Sequence, residues 1–260
     1  MRLLSAPAIG LLVVCAALGA TPAAQPPAGI AVAAASDLHS LLPELARRFE
    51  RETGIKTTVS FGSSGNVFAQ IQNGAPFDVF MSADIDYPRR LVTSGHADAD
   101  TLRAYATGRL VLWTRHASGI DVAPGLKAVA DARVRRIAIA NPKVAPYGRA
   151  AVAALQHEGL YEQVQPKLVL GDNISQTAQL VESGNADVGI LAMSLALAPE
   201  MAASGSYAEI PPATHPPIEQ GAVVLTASKN KDAARRFLAT LERADTLDLL
   251  RRFGFTPPAK

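Results

Sequence analysis

Short apolar runs and longer helical stripes alternate along most of this chain. Ile30–Ala35 is apolar throughout, and Leu38, Leu41, Leu42, Leu45 and Phe49 then recur at helical spacing. Charges from Glu44 to Glu52 occupy the opposite face and Gly54 ends the stripe. Pro43 is tolerated only in a first helical turn, so the main helix is expected to begin near residues 40–42, after a tighter turn over 36–39. Residues 56–61 set Thr57, Val59 and Phe61 at alternate positions, as in a strand. Val67, Phe68 and Ile71 then repeat as in a helix, closed by Asn73-Gly74.

The same succession continues. Strands are expected over 77–83, 109–114, 137–140, 168–170, 188–191 and 221–226. Helices are expected after Asp84, through Leu155, and over 176–181, 232–241 and 245–252. The stretch 203–217 carries Pro211-Pro212 and Pro216-Pro217 and reads as irregular. The strands at 109–114 and 221–226 read as crossings to a second lobe and back. Strands alternating with helices predict an α/β fold with mainly parallel sheets.

In four places a strand runs through a turn of small or polar residues straight into a helix: at Ser36-Asp37, at Phe61-Gly62-Ser63-Ser64-Gly65-Asn66, at Asn141-Pro142-Lys143-Val144-Ala145-Pro146-Tyr147-Gly148 and at Gly171-Asp172-Asn173-Ile174-Ser175. A helix start has free amide hydrogens and a partial positive charge, and glycine lets the backbone approach a ligand closely. Ser64 is expected to cap its helix, and Asp172 or Asn173 the last one. Pro146 suits a first helical position and has no amide hydrogen, so the first donor there is Tyr147 or Gly148. The turns together offer neutral donors: hydroxyls at Ser36, Ser63 and Ser64, and amides near Asp37, Tyr147, Ile174 and Ser175. A ring of such donors suits a fully ionised tetrahedral oxyanion, which has only acceptors. Asp37 is the one candidate acceptor, which would suit an anion that carries its own proton, such as hydrogen phosphate.

Composition narrows this further. With 260 residues, 48% hydrophobic and a net charge of +2, the chain is an ordinary globular protein of one large or two modest domains, and no case for nucleic-acid binding arises. Met1-Arg2, an apolar run to Ala20 and small residues with prolines up to Gly29 match a cleaved secretory leader over residues 1–28, with cleavage after Gly19, Ala23 or Ala24. The only cysteine, Cys15, lies inside that run, so no disulfide or thiol chemistry is expected after processing.

Enzyme readings find little support. There is no Gly-x-Ser-x-Gly elbow, no phosphate-cradling glycine loop, and no pair of histidines at metal-ligand spacing among His39, His96, His116, His157 and His215. A secreted serine hydrolase using Ser36 or Ser64 would lack a base within sequence reach. The Asp84/Asp86 pair reads as helix capping and solvated charge.

With the four turns in view, the chain resembles the molybdate-binding periplasmic proteins of bacterial ABC importers. The resemblance rests on Ala33-Ala34-Ala35-Ser36-Asp37-Leu38, the serine turn at Phe61 to Asn66, Gly74-Ala75-Pro76-Phe77-Asp78-Val79-Phe80-Met81-Ser82-Ala83-Asp84, the Asn141 to Gly148 loop, Gly184-Asn185-Ala186-Asp187-Val188-Gly189 and Arg252-Phe253-Gly254-Phe255. It implies a two-lobed type II periplasmic binding fold, with one lobe formed by 29–108 and 220–260, the other by 109–219, and the ligand between them. It further implies molybdate or tungstate as ligand, held by the Ser36 and Ser64 hydroxyls, the Asp37 amide and the backbone of Tyr147 and Ile174. The metal would be present only as the oxyanion, with no protein atom bound to it. No cofactor, a monomeric state, a membrane permease as partner and no chemical step are the matching expectations. Some relatives add a tyrosine hydroxyl after a strand of the second lobe, where this chain reads Ile190-Leu191-Ala192-Met193-Ser194. Sulfate and other tetrahedral oxyanions are the alternative ligands. The sensor domain of a regulator would share the fold type, but the leader and the lack of a DNA-binding segment speak against it.

Overall fold

A computed structural model describes residues 29–258, so the leader expected over 1–28, with Cys15, lies outside the described residues. The first strand, β1 (Ile30–Ala35), is covered on both faces, which is why it is a continuous apolar run and not an alternating one. A 3-10 turn at Ser36–Leu38 follows, then α1 (Leu42–Thr53), with Pro43 in its first turn. This helix buries Leu42, Leu45, Ala46 and Phe49 and stops at Gly54, whose φ of 72° is the left-handed conformation that glycine adopts without strain. Next come β2 (Thr57–Gly62), α2 (Ser64–Gln72), β3 (Val79–Ser82), α3 (Asp86–Thr93) and β4 (Arg103–Gly108).

After Gly108 the chain enters a second sheet. Its elements are β5 (Leu110–Arg115), β6 (Ile137–Ala140), α4 (Pro146–His157), α5 (Tyr161–Val164), β7 (Leu168–Gly171), α6 (Ile174–Glu182), β8 (Val188–Ala192), α7 (Met193–Ala196), α8 (Pro199–Ser204) and β9 (Gly205–Glu209). The return strand β10 (Ile218–Val224) rejoins the first sheet, and α9 (Lys231–Ala239) and α10 (Ala244–Arg252) pack on it.

The two sheets have the same plan. The first runs β2-β1-β3-β10-β4 and the second β7-β6-β8-β5-β9. In each, three strands pair in parallel and the remaining two add in antiparallel fashion, so both sheets are mixed. The strand β9 corrects the expectation of an irregular stretch there. It pairs along β5 because Gly205 leaves room for the Trp113 ring, which a Cβ would meet at 2.1 Å. Trp113 is fully buried in the core of the second sheet, while the first sheet is packed on one face by α1, α9 and α10 and on the other by α2 and α3. The parallel strands of both sheets end toward one another, and the four turns singled out above lie at those ends.

Candidate functional site

The five residues expected to hold the ligand line one small chamber. Its walls are Ala35, Ser36, Asp37, Gly62, Ser63, Ser64 and Ala83 from the first sheet's side, and Ala145, Pro146, Tyr147 and Ile174 from the second's. The free volume at its centre is about 10 Å³, room for about one water-sized sphere. No Lys, Arg or His is among these lining residues.

Each donor has an identifiable local cause. Ser63 caps α2, accepting from the Asn66 amide at 3.4 Å, so Ser64 is not the cap but the first helical residue. With Ser63 as the cap, the Ser64 side chain is not used at the helix start. Its Oγ accepts from the Ala83 amide at 3.0 Å, which fixes the oxygen and leaves the hydroxyl proton to donate elsewhere. The Ser36 hydroxyl donates to the Gly62 carbonyl at 2.9 Å and would have to exchange that bond for a ligand.

On the other side Pro146 opens α4, and the Gly148 amide is already engaged with the Ala145 carbonyl at 3.1 Å. Tyr147 is therefore the free donor of that turn. Asn173 caps α6 by accepting from Gln176 at 3.0 Å, so Ile174 is the first helical residue. Among the described residues, neither the Tyr147 nor the Ile174 amide has an acceptor in the protein.

The halves also bond directly to each other. Gly65 donates its amide to the Val144 carbonyl at 2.9 Å, and a Cβ on Gly65 would sit 2.8 Å from that same oxygen. Ser175 Oγ donates to the Ser36 carbonyl at 2.9 Å and Ser194 Oγ to the Asp37 carbonyl at 2.7 Å. Ser194 follows the strand where some relatives have a tyrosine, and its hydroxyl serves this contact between the halves; it does not line the chamber. Arg149 on α4 pairs with Asp84 and reaches the Tyr87 hydroxyl at 3.3 Å. Asp84 is thus more than a solvated cap. A groove of about 250 Å³ beside this pair is lined by Asp84 and Asp86 as well as Arg149, which makes it a poor seat for an anion.

Behind the chamber sits a buried polar cluster, of which the sequence singles out Asp37 and, for its amide only, Tyr147, but neither Gln220 nor Tyr105. The Asp37 carboxyl is fully buried, and its Oδ2 accepts from Gln220 Nε2. Tyr105 donates to Gln220 Oε1 at 2.6 Å, and Gln220 Nε2 also lies 3.3 Å from the Tyr147 hydroxyl. Burial pushes the Asp37 carboxyl up to about 6, although Gln220, the Tyr147 hydroxyl and nearby amides pull it back. Burial, with the neighbouring Asp37 charge, holds the Tyr105 and Tyr147 phenols well above their usual range. Gly108 makes room for this cluster, since a Cβ there would meet the Tyr147 hydroxyl at 2.1 Å. The one signal for Gln220 in the sequence is a polar side chain beside the apolar run at 221–226.

A mixed-sheet α/β pair with a small donor-lined chamber between its sheets is the architecture of a solute-binding protein. The family model described as bacterial extracellular solute-binding protein matches residues 30–256, and the chain belongs to that family. It is 36% identical to the molybdate-binding protein ModA of Azotobacter vinelandii over 244 residues, covering 94% of this chain and 96% of that one. The molybdate-binding protein ModA of Rhodobacter capsulatus is 38% identical over 237 residues, 91% of this chain and 90% of its own. The solved structure of the Azotobacter vinelandii periplasmic molybdate-binding protein superposes with a TM-score of 0.83 at 33% identity, covering 88% of this chain and all of that one. Among the described residues no helix is long and apolar enough to cross a membrane.

Proposed function

We propose that this chain is a periplasmic binding protein that captures molybdate, and tungstate with it, and delivers the anion to the membrane permease of an ABC importer. The observation that carries the reading is the chamber itself, small, free of cationic lining and ringed by neutral donors from both sheets. Ser36 and Ser64 supply hydroxyls, and Asp37, Tyr147 and Ile174 supply amides. Helix-start dipoles of α2, α4 and α6 add to these donors, so a dianion is stabilised without a salt bridge. The protein touches the oxygens of the ion and not the metal.

The two lobes in this reading follow the two sheets and hinge where the chain crosses, at residues 108–110 and 210–217. Because β10 begins at Ile218, we place the return boundary there and not at 220. Donors from both lobes are complete only in the closed state, so the anion shifts the population toward closure. No chemical step is proposed: the chamber holds no histidine, and its one acid, Asp37, is engaged with Gln220 and bonds neither serine hydroxyl. The protein acts as a monomer and needs no cofactor.

Thermal unfolding with molybdate, tungstate, sulfate and phosphate at matched ionic strength tests the reading. A ligand at a hundred times its dissociation constant stabilises the folded state by about 2.7 kcal/mol. The expected outcome is a raised melting temperature with molybdate and tungstate and none with sulfate or phosphate. A shift with sulfate or phosphate alone would replace the ligand, and no shift with any of the four would overturn the assignment.

A further inference from the structure

Asp37 is the only acid among the residues lining the chamber, and its carboxyl is shut off from water. One oxygen, Oδ2, is occupied by Gln220 Nε2, while Oδ1 is buried with no well-formed hydrogen bond, the Tyr147 hydroxyl and the Asp37 and Leu38 amides exerting only a weaker pull on the carboxyl. The side chains around this carboxyl come from three elements: Gln220 on β10, Tyr105 on β4 and Tyr147 on α4, while Ser194 on α7 bonds the Asp37 main-chain carbonyl. None is cationic, and both phenols stay neutral because burial raises them. The cation nearest in sequence to Tyr147 is Arg149, whose guanidinium is engaged with Asp84. An ionised Asp37 is therefore a buried charge with no counter-charge, and a dianion in the adjoining chamber would add two more of the same sign. Like charges at close range favour the neutral form of a carboxyl.

We propose that Asp37 is the proton-holding residue of the anion site, taking up one proton at Oδ1 from solvent when the lobes close over a dianion and returning it when they open. This rests on the reading of the chamber as a dianion site. The same residue sets a specificity rule. A fully ionised oxyanion is held with Asp37 neutral, whereas an anion that carries its own proton would need Asp37 ionised as an acceptor. The sign follows from proton counting. The ligand-bound state holds more protons than the free state once the pH exceeds the free carboxyl's value, which burial raises to about 6. Affinity for molybdate is therefore flat in more acidic solution and weakens with rising pH above it, by at most about tenfold per pH unit.

Calorimetric titration of molybdate into the protein at about pH 6, 7 and 8, each in two buffers of different ionisation heat, reads both the affinity and the protons taken up. The expected result is uptake approaching one proton per anion at the alkaline end, with the dissociation constant rising across the series. Asp37→Asn keeps an acceptor for Gln220 but cannot ionise. It is expected to bind without proton uptake, with no pH slope, and more tightly than the parent at the alkaline end. Molybdate binding that is pH-independent in the parent protein, or that strengthens as pH rises, would overturn the proposal while leaving the functional reading intact. So would a slope that persists in Asp37→Asn. The parent measurement decides even if the variant does not fold. An absence of molybdate binding at every pH would instead overturn the functional reading, and the proton assignment with it.

Discussion

The two halves of the chamber offer an anion the same thing, hydrogen-bond donors, but through different chemistry. In the proposed site the first half relies mainly on side chains, with the Ser64 oxygen pinned by the Ala83 amide and the Ser36 hydroxyl parked on the Gly62 carbonyl, and has the Asp37 amide as its one backbone donor. The second half uses backbone, the free amides of Tyr147 and Ile174 at the starts of α4 and α6. Side-chain donors are removed by one substitution each. Backbone donors survive every side-chain change except one to proline, and are otherwise lost only when the helix carrying them moves. The second half is therefore insensitive to its own side chains and depends on packing.

That contrast can be broken in order of expected effect. Gly148→Ala should act most strongly, because its Cβ would lie 2.0 Å from the Ala140 carbonyl oxygen and push α4 off β6. A loss of about 3 kcal/mol in denaturant unfolding, with molybdate binding weakened at least about tenfold, is the expected result. Unchanged binding in a folded Gly148→Ala would remove the Tyr147 amide from the site. Ser64→Ala deletes a donor to a charged acceptor and should weaken binding by about 2 kcal/mol. Ser36→Ala should cost about 1 kcal/mol, since that hydroxyl gives up an existing bond to serve the ligand. Calorimetry on the two serine variants sharpens the comparison, and the reverse order would mean the Ser36–Gly62 bond does not compete with the anion. Smallest is Arg149→Ala. Its half-exposed pair with Asp84 bridges the sheets and should contribute under about 1 kcal/mol, fading as salt is added, which the molybdate dissociation rate would report.

The turns were readable in the sequence because each is a local event, a strand that ends in small donors and a helix that begins. Local pattern leaves Ser63 beside Ser64, Gly148 beside Tyr147 and Ser175 beside Ile174 as candidates, and the family resemblance is what narrows them to Ser36, Asp37, Ser64, Tyr147 and Ile174. What escaped was non-local. Whether Ser63 or Ser64 caps α2 depends on an acceptor role that Ser64 plays toward Ala83, nineteen positions away in sequence. Gln220 and Tyr105 reach Asp37 from strands that meet it only once the sheet is assembled. The edge strand β9 lies in a stretch rich in small residues and flanked by prolines, and it is defined by the β5 edge it pairs with more than by its own pattern.

The position of β10 has a consequence for how the molecule is assembled during synthesis. This strand lies between β3 and β4, yet it is the last strand of either sheet to be made. The second sheet has all its strands once residue 209 has emerged, while the first must wait with a gap beside β3 until residues 218–224 arrive. The order of pairing along the chain thus runs against the usual one, in which an earlier part can complete itself first. Until residues 218–224 are available, the edges of β3 and β4 that β10 covers have no partner, the kind of edge through which chains associate.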